Sequence, residues 1–80
     1  MPETLYQLGK AASLEGDDAL AEKSWIHVLK LEKDSSLAAQ AHFGLAGLYR
    51  KQGKSTEASR EMESFHRLQK PASQTQDSQK

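Results

Sequence analysis

Apolar residues recur at spacings of three and four in four stretches of the chain, each bounded by polar or helix-ending residues. The first stretch carries Leu5, Leu8 and Ala12, and the second carries Leu20, Ala21, Trp25, Val28 and Leu29. The third carries Leu37, Ala41, Leu45, Leu48 and Tyr49, and the fourth Ala58, Met62, Phe65 and Leu68. This spacing keeps the apolar side chains on one face of a helix. No stretch alternates apolar and polar residues over strand length. Leu and Ala dominate the apolar set, so the pattern predicts an all-α fold of four helices.

The punctuation places the helix ends. Pro2 presets the first helical φ and Glu3 faces the positive end of the dipole, so the first helix is expected over residues 2–15. Gly16 and Gly53 each follow an apolar-periodic segment and suit left-handed C-caps. Asp17 is an N-cap for the second helix, which fades near Lys33–Asp34. Asp34, Ser35 and Ser36 can each cap the third, and Ser55 the fourth, with Pro71 closing it. Residues 71–80 hold one Ala and no large apolar side chain. Such a tail cannot offset its ordering entropy and is expected to be disordered.

The two halves overlay. Leu8 matches Leu45, Gly9 matches Ala46, Gly16 matches Gly53, Ala21 matches Ala58 and Trp25 matches Met62, each at an offset of 37 (45 − 8, 53 − 16, 58 − 21). The first half reads Leu5-x2-Leu8-Gly9-x2-Ala12 and then Ala21-x3-Trp25; the second reads His42-x2-Leu45-Ala46-x2-Tyr49 and then Ala58-x3-Met62. At these residues the chain resembles the tetratricopeptide repeat family, whose pattern is W-x2-L-G-x2-Y followed by A-x3-F and P. The resemblance implies two antiparallel hairpins, repeat one over 2–34 and repeat two over 35–70, stacked as a short right-handed solenoid in a domain of residues 1–70. His42 and Leu5 stand where the family has an aromatic, Ala46 where it has glycine, and Lys33 near its closing proline. The period exceeds the family's by about three residues, and the excess falls between Trp25 and His42. It therefore belongs either to a longer second helix or to a looser Lys33–Ser36 connection.

A hairpin of this kind buries one face and leaves the other apolar until a neighbour covers it. Two repeats are fewer than such arrays normally need. The fourth helix carries Met62, Phe65 and Leu68 with no successor, so these are expected to form a self-association face, or to meet an adjoining repeat of a longer protein. The resemblance also implies a concave groove lined by Tyr6, Lys10, Ser13, Phe43, Gly47, Arg50 and Lys51, with Tyr6 and Phe43 as anchors for a peptide. The alternative is ordinary helix surface with two part-buried rings. The groove of the family's chaperone-tail receptors uses asparagines, and this chain has none.

Composition narrows the chemistry. Eleven basic and eleven acidic residues give zero formal net charge, which argues against a nucleic-acid partner. With no cysteine there is no disulfide, thiolate metal site or cysteine nucleophile. No apolar run approaches bilayer length and no leader pattern opens the chain, so a cytoplasmic protein without membrane association is expected. His27, His42 and His66 show no i, i+4 ligand pair, Gly53-Lys54-Ser55 lacks the rest of a phosphate loop, and no nucleophile elbow occurs. No enzyme and no cofactor are expected; the partner is a protein or peptide, or a second copy of the chain.

Overall fold

The computed structural model describes residues 1–69. Pro71 and the expected polar tail 71–80 lie outside the described residues. Four helices, α1 (Pro2–Leu14), α2 (Asp18–Leu31), α3 (Ser36–Lys51) and α4 (Ser55–Gln69), form an all-α chain with no strand among the described residues. α1 packs on α2 and α3 on α4 across three-residue links; α3 also packs on α2 and touches α1, whereas α4 touches only α3. The order is thus hairpin, then hairpin, joined through α3.

The two tight links have the same construction. Gly16 and Gly53 have φ of 85° and 79°. The Gly16 N–H donates to the Ser13 carbonyl and the Asp17 N–H to the Ala12 carbonyl at 2.8 Å; thirty-seven residues on, Gly53 donates to Arg50 and Lys54 to Tyr49, again at 2.8 Å. These are the paired bonds of a Schellman cap, which satisfies carbonyls that the ending helix leaves open. A side chain at either glycine would meet the left-handed penalty of about 1–2 kcal/mol. Asp17 then caps α2 by accepting from the Leu20 N–H, and Ser35, of the three candidates, caps α3 by accepting from the Ala38 N–H. Ser55 does not cap α4. It lies inside the helix, because the Lys54 carbonyl already accepts the first helical bond, from Ala58.

α2 ends at Leu31 and is no longer than α4, so the three extra residues of the period sit in the link 32–35 and the first turn of α3. That added turn is well used: Ala38 and Ala39 are both buried. Trp25 is the hub of the core. Its indole is 4 % exposed, and its N–H donates to the Tyr6 carbonyl at 3.1 Å. α1 and α3 both approach it through glycine. A Cβ on Gly9 would stand 2.6 Å from the indole nitrogen, and one on Gly44 would stand 2.9 Å from the six-membered ring. Ala12, Ala21, Val28, Ala41, Leu45, Leu48, Tyr49 and Ala58 complete the cluster. Leu8 and Leu20 depart from the expected stripes. Leu8 is 43 % and Leu20 36 % exposed, since none of the described helices covers either.

Candidate functional site

The residues expected to line a groove lie at equivalent places on α1 and α3. Tyr6, Lys10 and Ser13 follow one another at i, i+4 and i+7, and so do Phe43, Gly47 and Arg50, which is one helix face in each case. Their environments differ. Tyr6 is half-buried with its ring 6.3 Å from that of Trp25, so it supports the core as much as it faces solvent. Lys10 and Arg50 are exposed and Ser13 is half-buried. Gly47 is exposed, and a Cβ there would meet nothing within 4 Å. Lys51 Nζ stands 3.1 Å from Asp18 Oδ1, at an angle outside a hydrogen bond, so the contact is ionic and links α3 to α2.

Phe43 is 55 % exposed, and its ring packs 5.1 Å from that of Phe65 on α4. Phe65 in turn lies 5.5 Å from the His66 ring. The groove anchor and the residue expected in a self-association face therefore share one aromatic surface. Met62, half-buried, lies in an adjacent open groove of about 190 Å³ with Arg50, Ser55, Ala58 and Ser59, and Leu68 is half-buried further along α4. A larger cavity, about 590 Å³, opens elsewhere, between the first turn of α1 and the start of α3, and contains none of the expected residues.

The chain matches no family model, no curated protein and no solved structure.

The polar contacts of this region join helices. The Tyr49 hydroxyl donates to Glu22 Oε2 at 2.9 Å, tying α3 to α2. Burial first, and then the hydrogen bond and charge of Glu22, with Glu61 and Glu57 adding to them, push the Tyr49 phenol well above its ordinary value. His42 Nδ1 lies 2.6 Å from Glu61 Oε1 and ties α3 to α4 at the position where the family pattern has an aromatic. Lys54 sits 5.8 Å over the Tyr49 ring. Among the described residues, no three His, Asp or Glu side chains gather into a metal-binding group, and no helix is long and apolar enough to cross a membrane.

Two features escaped the sequence reading. The apolar spacing does not single out Gly44, though a glycine inside a helix is itself a signal of close approach. The Tyr49–Glu22 bond spans 27 residues, and nothing in the local pattern pairs those positions.

Proposed function

We propose that the chain is a non-catalytic protein-interaction module built from two tetratricopeptide-like repeats in a short right-handed solenoid. The identical construction of the two links, at an offset of 37, supports the repeat reading (53 − 16). The observation that carries the function is Phe43, an aromatic ring more than half exposed on the face it shares with Gly47 and Arg50. An exposed aromatic beside a cation and an open glycine suits an extended peptide with one apolar anchor and acidic flanks. Lys10 extends the same positive edge from α1. Tyr6 contributes as a wall, and Lys51 contributes less, because Asp18 already holds its charge.

A random peptide library panned against the full chain tests this. Enriched peptides should carry acidic and apolar residues, and binding should fall at least tenfold with Arg50→Glu, which leaves the thermal midpoint unchanged, and with Phe43→Ala, which lowers the midpoint only by the lost Phe65 contact. Enrichment that survives both substitutions refutes it, as does none above an empty support.

A second reading is structural self-association. Leu8 favours it: 43 % of Leu8 is exposed, whereas Leu45, its equivalent in the second half, is 1 % exposed under the first hairpin.

A further inference from the structure

Among the described residues, two surfaces lack a partner, and they are the two halves of a junction that the chain already makes once. In that junction α3 lies on the first hairpin. Leu45 and Leu48 are buried, Gly44 abuts Trp25, Tyr49 bonds Glu22 and Lys51 faces Asp18. Subtracting 37 from the α3 positions gives the outer face of α1, with Gln7, Leu8, Ala11 and Leu14 all exposed; Leu8 and Leu14 are 43 % and 82 % exposed. Adding 37 to Asp18, Glu22 and Trp25 gives Ser55, Ser59 and Met62. In the first hairpin this seat is filled by α3. In the second it is the open groove of about 190 Å³.

We infer that this groove receives α1 of a second copy, head to tail, as α3 is received by α2 within the chain. This rests on the self-association reading and specifies its surfaces. The substitutions between the two junctions are paired. Where Lys51 meets Asp18 inside the chain, the copies bring Leu14 to Ser55 (51 − 37, 18 + 37), whereas the equivalent of Tyr49, Ala12, is buried within its own hairpin and takes no part. Cation and anion change together to uncharged residues, so the pairing strands no charge. Trp25 against Gly44 becomes Met62 against Gln7, a smaller, flexible side chain facing a larger one. Arg50 is the one charged residue lining the groove. The junction is heterologous, since each copy keeps a free α1 face and a free α4 face, and it therefore propagates unless it closes into a ring. One helix laid on a hairpin is a small interface, so the dissociation constant should be weak, roughly 100 μM.

Sedimentation equilibrium of the full chain up to about 1 mM, well above that constant, reads it out. The average mass should rise with concentration beyond that of a dimer. Leu8→Glu and Ser59→Glu change exposed positions, so both should keep the helical circular dichroism and be monomeric. Mixed in equal amounts they should form a 1:1 dimer, because one retains an intact α4 seat and the other an intact α1. A wild-type monomer at every concentration overturns both the junction and the self-association reading. Wild-type association that persists in either variant, or a monomeric mixture, overturns the junction alone.

Discussion

Gly44 and Gly47 lie one turn apart in α3, and the geometry around them makes opposite demands. In a helix interior glycine is less favourable than alanine by about 0.8–1.0 kcal/mol. At Gly47 an added Cβ meets nothing within 4 Å, so Gly47→Ala should stabilise the chain by roughly 0.5–1 kcal/mol. At Gly44 the same Cβ would stand 2.9 Å from the Cη2 and Cζ2 atoms of Trp25 and 3.0 Å from Cε2. Carbon contacts settle near 3.5–4.0 Å, so the ring must move by about half an ångström or more. It has little room: Gly9 already lies against its other end, and the Tyr6 carbonyl holds its N–H. Overpacking of this kind costs about 1–3 kcal/mol, which leaves Gly44→Ala destabilised by ~0–2 kcal/mol after the helix gain. The two variants should thus differ by about 1–3 kcal/mol. Urea unfolding followed by Trp25 fluorescence and by circular dichroism measures both. A Gly44→Ala midpoint equal to or above that of Gly47→Ala would refute the claim that α3 docks through a glycine on the indole.

Further outcomes follow from the same contacts. Trp25→Ala should cost about 3–5 kcal/mol, because it empties the hub and removes the bond to Tyr6; a loss under ~1 kcal/mol by circular dichroism and urea would show that the hub is elsewhere. Tyr49→Phe should cost about 1.5–3 kcal/mol near neutral pH through the lost bond to Glu22. Because the phenol is raised in the folded chain, its contribution is fully present below the unfolded value of about 10 and declines as pH rises above it. The stability gap between wild type and Tyr49→Phe should therefore narrow above pH ~10, and a constant gap would argue against a buried, bonded phenol. A double-mutant cycle on His42 and Glu61 should give a coupling of roughly 0.5–1 kcal/mol, and zero coupling would mean that the 2.6 Å contact does not tie α4 to α3. In native-state hydrogen exchange, α4 should lose protection before α3, since it packs on α3 alone and buries only Ala58 fully; equal protection would contradict that.

Much of the fold was legible because it is written locally. The four apolar stripes, the Asp17 cap, the Asp34–Ser36 group within which Ser35 caps α3, and the two left-handed glycines are properties of a few neighbouring residues. Register between helices was legible only where the chain repeats itself: an offset read off Gly16 and Gly53 found both Schellman links. What failed was burial on the helix faces that no described helix covers. Leu8 satisfies the same periodicity as Leu45, and no local signal says that one is covered by a hairpin and the other is not. Ser55 is a competent cap, but the Schellman bond of Lys54 to Tyr49 fixes the chain direction so that Lys54 takes the capping position. The candidate surface was half legible. Spacing put Phe43 on the α3 face, yet its packing on Phe65 depends on the fold of the second hairpin and merges two surfaces that spacing alone keeps apart.

The contrast between Trp25 and its equivalent Met62 explains why stability and recognition meet in the second hairpin. The first hairpin commits its largest side chain to a seat closed on both sides by glycines, and one of its faces is covered by α3. The second has a methionine at that place, a groove where the first has Tyr49 and Lys51, and an aromatic pair at the surface. A chain of this length has a net stability of only a few kcal/mol, so the uncovered hairpin is the part whose packing is least complete. Whatever covers it, peptide or second copy, adds the apolar contacts that α3 gives to α2, and by mass action stabilises the folded chain. Binding at Phe43, Phe65 and Met62 should consequently raise the thermal midpoint in proportion to the logarithm of partner concentration, whereas binding confined to α1 and Lys10 would leave α4 as loosely held as before.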